Sequence, residues 1–452
     1  MSTTVARPSS TLRWLLAGLA LWLGALWLLD RLYPLPLPDL ASDRAGVVVD
    51  RHGEPLRAFP DARGVWRYPI TPEQVAPAYL EALIGYEDRR FWHHGGIDPL
   101  AMARAAGQAL WNGRIVSGGS TLSMQVARII DPHPRSLLGK LRQMLRALQL
   151  EWHLDKGEIL THYLNYAPFG GTLEGVEAAS FGYLGKPSVR LSDAEAALLA
   201  VLPQAPSRLR PDRHPAAAQA ARDKLLLRLQ ALGDWPADRV SEARRETVVA
   251  RRLLPPMLAP LAAQRLRSQF PRTTRIDSTL DAELQRRVEA QLAAWIQRYP
   301  EGVSAAALLV RSDSGEVLAY VGNAAFADPT RAGHVDLLRA WRSPGSTLKP
   351  FIYGMALDEG LIHSASLLVD APQDFDGYRP GNFDERFRGP VDAAQALRLS
   401  LNIPAVALLD RLGPAPWAAR LGHAGARLRL PRGTAPHLGM ALGASEVRLD
   451  QL

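Results

Sequence analysis

Hydrophobic and polar positions change their spacing along the chain, and each change marks a predicted element. Residues 14–29 carry no charge, are rich in Leu, Ala and Trp, and follow Arg7 and Arg13. That run fills most of a membrane span, with Leu32 and Tyr33 extending it into the interface. No small-x-small cleavage site follows, so the pattern predicts an uncleaved transmembrane helix over 12–33 behind a cytoplasmic tail, 1–11. Arginines ahead of the span place everything after it on the outer face of the membrane. Leu35-Pro36-Leu37-Pro38 predicts a stiff exit, and the Val-rich start at Gly46 with the turn-like Asp50-Arg51-His52-Gly53 predicts a β-hairpin within a juxtamembrane segment, 34–70. Over 71–230 the apolar residues recur at helical spacing between Gly and Pro clusters, which predicts a mainly α domain. A helical linker is expected over 231–300. Residues 305–321 alternate around Asp313-Ser314-Gly315, predicting two strands near the start of a third region, 301–452.

Composition narrows the chemistry. The 452 residues hold 53 basic and 45 acidic side chains, a net charge of +8, with 47% hydrophobic and 22% charged residues. This is a globular balance with room for two or three domains, and it excludes a disordered, collagen-like or coiled-coil chain. There is no cysteine. Disulfides, thiolate metal sites, iron–sulfur clusters and a cysteine nucleophile are therefore excluded. On the outer face of a membrane neither ATP nor NAD is at hand, and the basic residues are too dispersed for a nucleic-acid surface.

Candidate chemistry lies in the helical region. If the helix runs through 87–94, Glu87, Phe91 and His94 share one face, and an aromatic wall would raise the carboxyl into the range of a general base. A lone Glu on a helix is ordinarily just solvated. Ser117-Gly118-Gly119-Ser120-Thr121-Leu122-Ser123-Met124-Gln125 sets two glycines before hydroxyls and an amide at an expected helix N-terminus, a favourable place for an anion, although a plain capped loop reads the same way. Arg128, Arg135 and Lys140 supply cations suited to a diphosphate, or simply a solvated basic face.

Glu87-Asp88-x-x-Phe91-x-x-His94-x-Gly96, Gly118-Gly119-Ser120-Thr121, Lys156-x-x-Ile159-Leu160-x-x-Tyr163-Leu164-Asn165 and Tyr183-x-Gly185-Lys186 together, in this order, resemble the peptidoglycan glycosyltransferase domain of class A penicillin-binding proteins. Trp152-His153-Leu154, Ala167-Pro168-Phe169-Gly170-Gly171 and Leu202-Pro203-Gln204-Ala205-Pro206-Ser207 are most similar to the 1C branch. The resemblance implies a lysozyme-like helical domain that polymerises lipid II, with Glu87 as general base, inversion at the anomeric carbon and undecaprenyl diphosphate as leaving group. It implies substrate contacts at Phe91, His94, Arg104, Ser120, Thr121, Gln125, Arg128, Arg135, Lys140, Gln143, Glu151 and Asn165. One position departs from the family: where an Arg-Lys-x-x-Glu pattern is usual, this chain has Gly139-Lys140-Leu141-Arg142-Gln143. Gln143 exchanges hydrogen bonds but carries no charge. Either a second carboxylate is dispensable or Glu151 supplies it, and since Glu151 matches a family position of its own, dispensability is favoured.

In the third region Ser346-Thr347-Leu348-Lys349 is a Ser-x-x-Lys, in which one helical turn would set the Lys349 amine beside the Ser346 hydroxyl. With Ser400-Leu401-Asn402 downstream, it resembles a penicillin-binding transpeptidase domain of α+β fold. The resemblance implies Ser346 as nucleophile, Lys349 as base, Ser400 as proton relay and Asn402 as a substrate-amide contact. No Lys-Thr-Gly or Lys-Ser-Gly follows; Arg432-Gly433-Thr434 lies in a Pro-flanked loop and reads as structural. The expectation is an incomplete transpeptidase domain with weak or absent activity. The implied partners are lipid II, nascent glycan strands, membrane lipid and cell-wall synthesis proteins, with penicillin and moenomycin as inhibitors and no nucleic acid. No cofactor is fixed, and a divalent cation (Mg or Mn) is left open for the glycosyltransferase. A lytic hydrolase on the same fold and a non-catalytic cell-wall scaffold are the competing readings.

Overall fold

The computed structural model describes residues 45–112, 119–134 and 136–452, with 18, 21, 24, 27, 28 and 30–38 ahead of them. The expected anchor over 12–33 falls largely outside the described residues. Among those described, no helix is long and apolar enough to cross a membrane. The chain divides into two compact units: Met1–Leu258 with Ala263–Ser278, and Ala259–Ala262 with Thr279–Leu452. The stretch expected as a linker, 231–300, is thus shared between the two.

The first unit opens with the expected hairpin, β1 (Gly46–Val49) and β2 (Pro55–Phe59), antiparallel with Gly46 opposite Phe59. The Asp50 carboxylate closes the turn by accepting from the amides of His52 and Glu54 at 2.8 and 2.7 Å, and Gly53 takes the positive φ that the turn requires. Helices α1 (Pro77–Glu87), α2 (Pro99–Asn112), α3 (Leu122–Ile130), α4 (Leu137–His153) and α5 (Lys156–Tyr166) follow. Side-chain caps start three of them: Thr121 for α3, Ser136 for α4, and an Asp155/Glu158 capping box for α5. A small hairpin, β3 (Pro168–Gly170) and β4 (Leu173–Glu174), leads to α6 (Val176–Leu184) and α7 (Asp193–Val201). Most of α7 is buried Ala and Leu, as befits a helix enclosed on every side. After it come α8 (Pro215–Ala231), α9 (Ala237–Arg245) and α10 (Pro260–Gln269), then β5 (Arg275–Asp277), which pairs parallel to β1 and completes a sheet in the order β2-β1-β5. One core runs through this unit and includes Val47 and Val49 of the hairpin with Leu83, Phe91, Leu150 and Leu199.

The segment before the hairpin is tied to α4. Arg146 donates to the carbonyls of Tyr33 and Pro34 at 2.8 and 3.2 Å, and Gln149 donates to Asp30 and the Tyr33 carbonyl.

In the second unit α11 (Ala282–Ile296) packs on a hairpin of β6 (Ala307–Val310) and β7 (Val317–Val321), the two strands expected around Gly315. Buried Gln285 makes the join, its amide bonding both the carbonyl and the amide of Tyr320. Then come α12 (Lys349–Asp358), a second hairpin of β8 (Leu367–Asp370) and β9 (Gly389–Asp392), and α13 (Ala393–Arg398), α14 (Asn402–Leu412) and α15 (Pro414–His423). Ile352, Ala356, Val406, Leu409 and Trp417 form its core.

Candidate functional site

A cavity of about 1070 Å³ opens in the first unit, with Glu87, Gln125, Arg128, Lys140, Tyr163 and Gln204 among its walls. Glu87 is the last residue of α1, because the chain turns away at Asp88. The buried Asp88 carboxylate accepts from the amide of Leu122, at the start of α3, at 2.8 Å, and from Nε2 of His94 at 3.0 Å. This overturns the single helical face expected for Glu87, Phe91 and His94. Phe91 opens a separate 3-10 turn, Phe91–His93, and is fully buried with the Lys156 amine 4.5 Å over its ring. His94 is spent on Asp88 and on the amide of Gly96. The aromatic neighbours whose ionisation Glu87 disfavours are instead Tyr79 and Tyr86 of α1 and Tyr163 of α5.

Two amides grip the Glu87 carboxylate. Gln125 Nε2 donates to Oε2 at 2.7 Å and Gln204 Nε2 to Oε1 at 2.9 Å. Burial raises the Glu87 carboxyl above the ordinary range, a shift that these two hydrogen bonds and the charge of Arg228 oppose and that Asp88 reinforces. Around the same cavity Lys140 donates to Ser120 Oγ at 2.6 Å and to Gln143 Oε1 at 3.1 Å, while Gln143 Nε2 donates to the Met124 carbonyl at 2.6 Å. Desolvation, with the nearby Arg128 charge, lowers the Lys140 amine. Ser120 and Gln143 also line the walls.

The other described candidates are not among the cavity's walls. Arg104 is exposed on α2, and Arg135 is outside the described residues. Thr121 is buried, donating to the Gly96 carbonyl at 2.6 Å and accepting from the Met124 amide. Asn165 holds both the amide and the carbonyl of Ile70, as a neighbouring strand would. Glu151 accepts from Ser123 Oγ and Lys156 Nζ and is not among the cavity's walls, so it does not stand where Gln143 lacks a charge. Sequence reasoning assigned no role to Gln204, whose signal was only its place between Pro203 and Ala205-Pro206. It also passed over Glu174 of β4, a cavity-wall carboxylate bound by Arg67 at 2.7 and 2.5 Å. Among the described residues no three His, Asp or Glu side chains converge as metal ligands.

In the second unit Ser346 is exposed within a 3-10 turn, Gly345–Leu348, which ends where α12 begins at Lys349. Lys349 thus follows Ser346 by one 3-10 turn, and the hydrogen bonds of its amine run to the Ser400–Asn402 segment. The Lys349 amine donates to Asn402 Oδ1 at 2.7 Å, to the Ser400 carbonyl at 2.6 Å and to Ser400 Oγ at 3.2 Å. Burial lowers this amine to about 8. Ser400 sits at φ +54°, a strained left-handed conformation for a residue with a side chain. Asn382 fixes the group from behind: Oδ1 accepts from the Asn402 amide at 2.9 Å and Nδ2 donates to the buried Asp370 at 2.8 Å. Behind Ser346, Gly443 passes so close to Gly345 that a Cβ there would meet its backbone at 2.6 Å.

The two units carry separate family signatures. Residues 52–230 match the transglycosylase family and residues 305–427 the penicillin-binding protein transpeptidase domain. The chain is 53% identical over 428 residues to penicillin-binding protein 1C of Escherichia coli, covering 95% of this chain and 55% of that protein. It is 30% identical over 400 residues to penicillin-binding protein 1F of Bacillus subtilis, covering 84% and 55%, and 31% identical over 387 residues to penicillin-binding protein 1B of Vibrio cholerae, covering 78% and 48%. It spans about half the length of these relatives. Carrying the two domains in this order, the chain belongs to the class A penicillin-binding proteins, on their 1C branch.

Proposed function

We propose that the first unit is a peptidoglycan glycosyltransferase that polymerises lipid II at the outer face of the cytoplasmic membrane. The observation that carries this reading is the Glu87 carboxylate, desolvated and gripped on a wall of the cavity that also holds Arg128 and Lys140. Glu87 takes the proton of the acceptor sugar's 4-hydroxyl, and the freed oxygen pair attacks the anomeric carbon of the growing strand. The bond from that carbon to the diphosphate oxygen breaks, and the polyprenyl diphosphate leaves with its electron pair. Arg128 and Lys140 balance the charge that gathers on it. Phe91, His94, Thr121, Glu151 and Asn165 serve this site through the backbone and side chains they hold, while Ser120, Gln125 and Gln143 face the substrate.

The second unit contributes the nucleophile half of a serine transpeptidase: Ser346 to attack, Lys349 to hold the proton, and Ser400 and Asn402 to position it. Moenomycin competes at the first site, while the second, with no Lys-Thr-Gly or Lys-Ser-Gly among these residues, is expected to be acylated by penicillin weakly or not at all.

Incubating the detergent-solubilised chain with lipid II tests the central reading. Glu87→Gln is expected to lower strand formation by about a hundredfold or more. Undiminished synthesis in that variant would overturn the assignment, and shortening of preformed glycan without use of lipid II would mark a hydrolase instead.

A further inference from the structure

Gln204 closes a 3-10 turn, Leu202–Gln204, that continues directly from buried α7, and the Ala205 amide donates back to the Leu202 carbonyl. The backbone at Gln204 is thus held, while its side chain reaches outward over the cavity mouth. The two ends of its amide have different partners. Nε2 donates to Glu87 Oε1 at 2.9 Å, and Oε1 accepts from the phenol hydroxyl of Tyr86 at 3.1 Å.

We propose that Tyr86 and Gln204 form a positioning pair that fixes the plane of the Glu87 carboxylate, with Tyr86 selecting which end of the amide faces it. This deepens, and rests on, the reading of Glu87 as the general base. A carboxylate only accepts hydrogen bonds, so an amide oxygen turned toward it would repel it. The Tyr86 hydroxyl removes that alternative by donating to the amide oxygen, and burial first, then the Glu87 charge, keep this phenol protonated. Arg228 of α8 lies 5.4 Å over the Tyr86 ring and steadies it. Gln125 grips the other carboxylate oxygen at 2.7 Å from α3, so neither oxygen is free to turn. Each oxygen keeps a further lone pair, and one of them is left to meet the acceptor hydroxyl in a defined direction.

The groups facing Glu87 come from several elements: Arg228 from α8, Asp88 next in the chain, Tyr79 from α1 and Tyr163 from α5, with Arg128 and Lys140 on the same cavity. None of them donates to Oε1 of Glu87 as Gln204 does. Both amide bonds favour the charged carboxylate, so losing one raises the pH at which the base loses its proton.

The test is lipid II polymerisation by the full chain in detergent, followed across pH for the wild type, Gln204→Met, Tyr86→Phe and Glu87→Gln. Gln204→Met is expected to lower kcat about tenfold at unchanged KM and to move the acid limb of the kcat profile upward by about one pH unit, the worth of one charge-assisted hydrogen bond. Tyr86→Phe keeps the ring over which Arg228 lies and is expected to move the limb the same way by less. Gln204 is exposed and Tyr86→Phe keeps the half-buried ring while giving up only an exposed hydrogen bond, so both variants should melt with the wild type. An unmoved acid limb in both variants overturns the pair, and so does a change confined to KM, which would make Gln204 a substrate contact. Full activity in Glu87→Gln would fail the glycosyltransferase reading itself, which keeps the two failures apart.

Discussion

Lys349 is a buried amine, 1% exposed, whose neighbours are two side-chain oxygens and a carbonyl rather than a carboxylate. Without a counter-ion, desolvation dominates and the amine gives up its proton at about 8 instead of in the ordinary lysine range. Below that pH it is an ammonium and cannot take a proton from Ser346; above it the free base accumulates. Any acylation of Ser346 by a fluorescent penicillin is therefore expected to be weak, to speed up with rising pH and to level off above about 8. Lys349→Ala should abolish it, and a rate that is flat between pH 6 and 9 would contradict this. Gln143 shows the complementary economy in the first unit. Its amide accepts from Lys140 and donates to the Met124 carbonyl, a bracket that a glutamate in its place would turn into two facing acceptors.

Among elements, the decisive join is between the end of α1 and the start of α3. Asp88 ends α1 and accepts from the first amide of α3, which brings Gln125, one turn along, to within 2.7 Å of Glu87. Asp88 is not among the cavity's walls, yet it sets the distance between two residues that are. Asp88→Ala leaves the Leu122 amide and His94 without their buried acceptor and is expected to cost about 2–3 kcal/mol in urea unfolding, with a fall in lipid II polymerisation. A variant as stable as the wild type would refute the cap. The motifs put Glu87 and Gln125 in their own segments, and the stretch over 117–125 marked the helix N-terminus that Thr121 caps. Helical periodicity, however, carried α1 on past Asp88 and set Phe91 beside Glu87. The helix stops because a side chain finds a backbone partner 34 residues away, and no local pattern records that. Gln204 escaped for the same reason: its partner Glu87 lies 117 residues earlier.

At the scale of the whole molecule the two units each have their own core, and the first is not contiguous in sequence. Its sheet closes only with β5, where Val47 donates to the Thr274 carbonyl at 2.8 Å and the Ser278 amide and hydroxyl reach the Val49 carbonyl at 3.1 and 2.7 Å. The order of the domains could be read from motifs, and the hairpin from its Val-rich strand and Asp50 turn. The third strand could not, because Arg275-Ile276-Asp277 is short, carries a charge at each end, and gains its role only from a distant partner. A fragment of residues 45–278 is expected to stay soluble, while 45–258, lacking β5, should aggregate through the bare edge of β1. Equal solubility of the two in sedimentation would show that edge to be harmless. The same pairing sets an order of events while the chain is being made. Synthesis finishes the hairpin at residue 59 but delivers its last neighbour only at residue 278, an interval of roughly ten to forty seconds at about 5–20 residues per second. Throughout that wait the Val47-Val48-Val49 strand has one side unmatched, so a chain cut short before β5 leaves that side bare.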